Sequence, residues 1–143
     1  MLTSKRFLIV LCLALLITSS STLTAAPYGS TIVNDKITVP AGSFAYYRFV
    51  VPQGWSFGTV AGRFRAEGGR GNDIEVFIID EDGFENFRNR HQVGTYYNSG
   101  RVTVANVRVS LRPQVYYLIF NNAYSLFTNK VVAATIELHK AND

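Results

Sequence analysis

The sequence VYYLIFNNAYSLFTNKVVAATIELHK, residues 115–140, contains the pattern that decides the fold. Residues 115–120 are apolar or aromatic at every position, which is typical of a strand covered on both faces in the middle of a sheet. In residues 130–140 apolar and polar side chains alternate, so one face is predicted to be buried and to carry Val132, Ala134, Ile136 and Leu138. An Asn-rich turn separates these two segments, and the pattern predicts antiparallel β structure.

Short runs of the same kind precede this segment, and they predict strands over residues 31–39, 43–51, 56–66, 73–80 and 100–111. Ile74, Val76 and Ile78 alternate with Phe77 and Ile79, so a second central strand is expected there. Seven or eight strands without a clear helix predict an all-β fold, an antiparallel sandwich of jelly-roll-like type.

Two connections have patterns of their own. Pro52 and Gly54 suit a tight turn, so we expect a hairpin between the second and third strands. In residues 100–111 the apolar positions change phase between Val104 and Val107, and we expect a bulge near Ala105 to reconcile them.

The first 25 residues have the layout of a secretory signal peptide. Lys5 and Arg6 precede an apolar run over residues 7–17, and Ala25 offers a small residue for cleavage. The run is shorter than the roughly 20 residues that a membrane-spanning helix needs. We therefore expect residues 1–25 to be removed and residues 26–143 to form one domain, secreted to the extracellular space or the periplasm, with no membrane span.

The cysteine count and the net charge argue against a disulfide-rich module and against a nucleic-acid-binding protein. The one cysteine, Cys12, lies in the predicted signal peptide, so no disulfide is expected in the processed chain. Without Lys5 and Arg6, 12 basic and 10 acidic residues remain, a net charge of +2. This near balance, with no clustered basic run, argues against a nucleic-acid partner.

Residues 81–97 form the one long polar stretch, and two interpretations stay open for it. As an irregular loop it would suit ligand binding, because long loops in compact domains often do. As a short helical turn it would use its two phenylalanines to plug one end of the sandwich. The binding interpretation makes ligand-contact candidates of Phe84, Phe87, Arg88 and Arg90.

Acidic residues near this stretch would suit calcium, which takes six to eight oxygen ligands. The metal-ligand candidates are Asp73, Asp80 and Asp82, although the spacing of an EF-hand is absent and a strand-ending turn is the simpler interpretation. The chain has neither a G-x-S-x-G nor an H-E-x-x-H motif, so we predict a protein that is not an enzyme and has no required cofactor.

Residues 115–130 resemble the C-terminal signature of GOLD (Golgi dynamics) domains: a Tyr-Tyr-Leu-x-Phe strand, an Asn pair, a Ser-Leu-aromatic turn and a lysine. The resemblance implies a compact β-sandwich that binds proteins or ligands without catalysis. It makes ligand-binding candidates of Tyr116, Asn121, Asn122, Tyr124 and Phe127. The alternative is structural: Asn121 and Asn122 form the turn, and Leu126 and Phe127 fold back over the core edge as a clamp.

Two functions therefore remain open. The first is a secreted accessory module that recognises a protein or a lipid-bearing surface. The second is a small carbohydrate-binding module, with or without calcium, which would stack sugar rings on exposed aromatic residues such as Trp55, Phe84 and Tyr96.

Overall fold

The computed structural model describes residues 29–67 and 71–141. The predicted signal peptide and its cleavage site lie outside these residues. Within them no helix is long and apolar enough to cross a bilayer.

The protein is an antiparallel β-sandwich with one short helix, which confirms the predicted fold class. One sheet has the strand order β1-β8-β3-β6 and the other β2-β7-β4-β5. In chain order the elements are β1 Gly29–Val39, β2 Phe44–Val50, β3 Gly58–Glu67, β4 Ile74–Asp80, α1 Glu81–Arg88, β5 Tyr97–Val102, β6 Val104–Leu111, β7 Val115–Asn121 and β8 Lys130–Lys140.

The core lies between the sheets, on the faces that the alternation predicted. The side chains that fill it are at most 1% exposed: Val60, Phe64, Ile74, Val76, Ile78, Leu118, Phe120, Ile136 and Leu138. The two strands predicted to be central, β4 and β7, are each hydrogen-bonded to another strand on both sides, so both predictions are confirmed. Gly62 sits where β8 approaches so closely that a Cβ atom would overlap the carbonyl oxygen of Thr135.

Both predicted connections are wrong for a common reason. β2 and β3 belong to different sheets, so the turn after Val51 leads into a crossover rather than a hairpin. Residues 97–111 form two strands, β5 and β6, which also belong to different sheets. The phase change therefore marks a passage between sheets at Thr103, whose carbonyl accepts a hydrogen bond from the Ala66 amide at 2.7 Å, and no bulge is needed.

The polar stretch contains α1, so the helical interpretation of its start is right and the expectation of an irregular loop there is wrong. Asp80 caps the helix, its Oδ1 accepting a hydrogen bond from the Gly83 amide at 2.8 Å. The phenylalanines do not plug one end of the sandwich. They pack on the outer face of the second sheet, in a cluster that comprises Phe77, Ile79, Phe84, Phe87, Tyr117 and Ile119.

Candidate functional site

The connection between β7 and β8, residues 122–129, is held by one buried asparagine. Asn122 is fully buried. Its Nδ2 donates hydrogen bonds to the carbonyl oxygens of Val39 at 3.1 Å, Pro40 at 3.1 Å and Thr128 at 2.9 Å. One side chain thereby joins the end of β1, the turn after it and the far end of the β7–β8 loop.

Further hydrogen bonds hold the loop internally and against the turn after β1. The Asn122 amide donates to the Ser43 carbonyl at 2.9 Å, and the Gly42 amide donates back to the Asn122 carbonyl at 3.2 Å. Ser125 closes the loop, because its Oγ donates to the Thr128 carbonyl at 3.0 Å. Gly42 has a φ of +69°, a left-handed conformation that glycine adopts without strain. The loop is therefore ordered before any partner arrives.

Tyr124 attaches the loop to the start of β4. Its hydroxyl donates to the Asp73 carbonyl at 3.0 Å, and the Arg101 guanidinium lies 3.8 Å from the centre of its ring. Burial raises the pKa of Tyr124 to about 12, and the Asp73 carboxylate adds to the effect. Tyr124 is thus uncharged at ordinary pH and holds the loop by its hydrogen bond, and its ring also positions the Arg101 guanidinium beside the loop.

Lys130 and Asp73 form an ion pair beneath the loop. The Lys130 ammonium, with a side chain only 2% exposed, lies 2.7 Å from the Asp73 carboxylate. The hydrogen bond from Lys130 is the largest of the influences that lower the pKa of Asp73. Because a buried charge needs a partner, the lysine of the signature and Asp73 have a structural role here.

The apex of the loop is apolar and faces solvent. Leu126 is 79% exposed and Phe127 is 91% exposed, so the predicted clamp over the core edge is wrong. The hydrogen bonds of Asn122 and Ser125 fix the loop, and Tyr124 takes the inward position expected for Phe127. We call the Leu126–Phe127 pair the apolar tip.

A surface groove of about 670 Å³ borders this loop and joins it to the C-terminal end of α1. Its walls are formed by Gly42, Phe44, Phe87, Arg88, Arg90, His91 and Ala123. The rings of Phe44 and Phe87 meet edge to face at 4.9 Å and form an apolar floor. We call this surface the basic groove, since two arginines and a histidine line it and no carboxylate does.

The arginines of the basic groove are weakly engaged. Arg88 lies 3.8 Å from the Glu85 carboxylate, and both side chains are more than half exposed, so this pair contributes little. Arg90 follows the helix in a left-handed conformation with a φ of +62°. Within the described residues Arg90 makes no ion pair. The predicted candidates Phe87, Arg88 and Arg90 are therefore brought together at one surface.

Other predicted ligand contacts are structural. Tyr116 is 1% exposed, and its hydroxyl donates to the Arg112 carbonyl at 3.1 Å. Phe84 is buried and its ring stacks on Tyr117 with centres 3.9 Å apart. Asn121 shapes the loop, its Oδ1 accepting a hydrogen bond from the Ala123 amide at 3.0 Å.

The aromatic residues considered for sugar stacking do not form an exposed line. Phe84 is buried, and Trp55 is partly buried against the main core. Tyr96 is 46% exposed, but its hydroxyl donates to Asp80 Oδ2 at 2.9 Å and its ring packs edge to face on Tyr116.

The calcium candidates do not converge. Asp73 precedes β4 and Asp80 ends it, and a seven-residue strand separates its ends by roughly 20 Å. Asp73 is paired with Lys130, Asp80 caps α1, and Asp82 is exposed in the first turn of the helix. No group of three metal-ligating side chains occurs in the part of the chain that the structure describes.

A second groove of about 440 Å³ lies beside the N-terminal end of α1. Its polar lining differs in charge from the basic groove and includes Asp80, Asp82, Asn86, Gln92 and Tyr96. We call this surface the acidic groove.

No family model matches the chain. No curated protein matches it either. The resemblance to GOLD domains stays a prediction, and function is argued from the site itself.

Sequence reasoning missed Phe44, His91 and the exposure of the apolar tip. The sequence carried a signal for the turns of the loop, but not for the exposure of the tip: Asn122, Ser125 and Thr128 follow one another at intervals of three. Such residues bond to nearby backbone groups and form successive turns.

Proposed function

We propose that this chain is an exported, non-catalytic binding module that recognises a protein or a lipid-bearing surface through the apolar tip and the basic groove. The observation that carries the proposal is the exposure of Leu126 and Phe127, 79% and 91%, on a loop that is otherwise tightly bonded. The proposed export rests on the sequence pattern of residues 1–25.

The energetics of the tip favour binding. Burying a leucine or phenylalanine side chain contributes about 1.5–3 kcal/mol, so the pair could supply about 3–6 kcal/mol on contact with a partner. The loop is already ordered by Asn122 and Ser125. Little conformational entropy is then lost on binding, and more of this energy appears as affinity.

A non-catalytic role is supported by how the polar groups at this end are used. Asn122 bonds three carbonyl oxygens, Asp73 neutralises Lys130, and the Tyr124 hydroxyl donates to a backbone carbonyl. These groups hold the loop in place, whereas the surface offered to a partner consists of apolar, aromatic and cationic side chains.

The test compares the protein with a Leu126→Ser/Phe127→Ser double variant. Each is immobilised and exposed to the exported proteins and the membrane lipids of its own source. We expect the double variant to lose the partner retained by the unaltered chain while melting at the same temperature. A Phe57→Ser variant is the control, since Phe57 is 42% exposed in the connection between β2 and β3. Equal retention by the double variant would contradict the proposal.

A second candidate function is carbohydrate binding in the acidic groove. The observation that favours it is the set of hydroxyl-binding side chains there, the carboxylates of Asp80 and Asp82 with the amides of Asn86 and Gln92. Binding of soluble oligosaccharides that Asn86→Ala abolishes and the tip variant leaves intact would support it. The apolar tip has no role in this function, so the two candidates are separable.

A further inference from the structure

We propose that the surface recognised by the apolar tip is an anionic membrane, with Leu126 and Phe127 entering the bilayer interface and the basic groove facing the lipid headgroups. This inference rests on the proposed function and names its partner. It derives from the shape of the tip, the small area it offers and the cationic side chains near its loop.

The shape of the tip suits a soft surface. Leu126 and Phe127 are adjacent at the apex of a loop and project into solvent. Interfacial segments bury their apolar side chains roughly 5–10 Å into the boundary between headgroups and acyl chains, a depth that two side chains at an apex can reach. A membrane accepts such a projection without a preformed pocket.

The area of the tip argues against a protein partner. A stable protein interface buries about 800 Å² on each side. A large aromatic side chain supplies about 150–250 Å², so Leu126 and Phe127 together fall well short of that area. The basic groove beside the tip adds the rings of Phe44 and Phe87, but three of its seven lining residues are cationic or histidine side chains, which suit anionic headgroups better than an apolar protein surface.

Cationic side chains lie near the loop that carries the tip. Ala123, three residues before Leu126, lines the basic groove, so the loop that carries the tip also borders Arg88 and Arg90. Arg101 stacks over Tyr124, another residue of the same loop. Each arginine near an anionic bilayer should strengthen binding about fivefold.

The acidic residues at this end are largely neutralised or bonded. Asp73 is paired with Lys130, and Glu67 lies 2.7 Å from the Lys36 ammonium. Glu75 accepts a hydrogen bond from Asn121 at 2.8 Å. Glu85 is the exception, because it lies 3.8 Å from Arg88, but that pair is exposed and weak, and Arg90 makes no ion pair within the described residues, so both arginines are available to an external anion.

The experiment measures binding of the processed protein to vesicles. Its mass is first checked to show that residues 1–25 are absent, because an apolar signal segment would itself bind lipid. Vesicles of phosphatidylcholine alone are compared with vesicles that also contain phosphatidylglycerol. We expect binding to the anionic vesicles, weakened by salt because exposed charges are screened.

Two sets of variants separate the contributions. Leu126→Ser/Phe127→Ser should weaken binding about a hundredfold or more, from the apolar burial that is lost. Arg88→Gln/Arg90→Gln should weaken it about 25-fold, from two charges at about fivefold each. The matched control is Arg63→Gln/Arg108→Gln, which removes the same charge from exposed positions on β3 and β6 and should leave binding unchanged.

A fluorescent probe reports insertion directly. Phe127→Trp should give an emission that shifts to shorter wavelength with anionic vesicles, whereas the unaltered chain, whose tryptophan is the partly buried Trp55, should not shift. Absence of that shift would overturn the inference, as would vesicle binding that the tip or groove variants leave intact.

The outcomes distinguish this inference from the proposed function. If vesicles do not bind but a protein is retained and released by the tip variant, the membrane inference fails and the binding module stands. If neither vesicles nor proteins depend on Leu126 and Phe127, both fail.

Discussion

Replacing Asn122 with alanine should weaken the whole loop end of the sandwich, because this one side chain bonds three segments. Its Nδ2 donates to the carbonyl oxygens of Val39, Pro40 and Thr128 at 2.9–3.1 Å. Alanine leaves these carbonyls without that donor.

The magnitude follows from the hydrogen-bond count. An amide nitrogen carries two hydrogens, so the three contacts are worth about two full hydrogen bonds, and each buried group left unpaired costs about 1–3 kcal/mol. Asn122 Oδ1 has no hydrogen-bond partner among the described residues, so deleting it removes a small existing penalty. We expect a net loss of about 2–4 kcal/mol in the free energy of unfolding.

Urea unfolding followed by circular dichroism measures this loss. Asn129→Ala is the matched control, since the same residue type in the same loop is exposed and accepts a single hydrogen bond, from the Ala41 amide at 3.0 Å. It should cost less than about 1 kcal/mol. Asn122→Asp keeps the size but replaces the donor with an oxygen that faces carbonyl oxygens, so it should destabilise at least as much as alanine.

Hydrogen exchange locates the effect. In Asn122→Ala the amides of Ser125 and Thr128 should exchange faster, while those of the central strand β4 stay protected, because their ladder does not depend on Asn122. A loss no larger than that of Asn129→Ala would refute the reasoning and show that the loop is held by other contacts.

Three further predictions follow from burial and charge. Phe127→Ala should melt like the unaltered protein because Phe127 is 91% exposed, whereas Phe84→Ala should cost about 3–5 kcal/mol, and equal melting shifts would contradict the assignment. Lys130 lowers the pKa of Asp73 below its usual 3.8, so the ion pair stabilises the fold fully above pH 3.8 and loses this effect as the pH falls through the lower pKa of the folded state. In Asp73→Asn this loss is absent, so the free energy of unfolding should fall less steeply with acidification. Unfolding curves recorded at a series of acidic pH values measure the difference. Tyr124→Phe removes a phenol whose pKa is raised to about 12. The ultraviolet titration of the variant, subtracted from that of the unaltered protein, should therefore show one phenol that ionises near pH 12 rather than near pH 10. A difference centred near pH 10 would show that Tyr124 is not buried.

Strand identity and the buried faces could be predicted from local sequence. In β8 the alternation of Val132, Ala134, Ile136 and Leu138 with polar residues requires one buried face, and all four are buried. In β4, Ile74, Val76 and Ile78 enter the main core while Phe77 and Ile79 enter the cluster beneath α1. These features are local because side-chain direction in a strand alternates with a period of two whatever the partner strand is.

Strand partners could not be predicted in the same way. The turn after Val51 and the phase change near Thr103 both lead the chain from one sheet to the other. Turn residues determine that the chain changes direction, but the sheet that the next strand joins depends on which buried surfaces fit together.

The sequence by itself determined that this chain has an all-β fold, which strands are central and which side chains form the core, because those properties depend on neighbouring residues. Only the tertiary structure decided the site. Leu126 and Phe127 are exposed because Asn122 bonds to Val39 and Pro40, more than 80 residues earlier in the chain. The basic groove likewise depends on the tertiary structure, because it is lined by residues far apart in the chain, Phe44 at the start of β2 and Arg90 after α1. Apolar side chains tend to be buried unless distant contacts hold them away from the core, and local sequence does not contain those contacts.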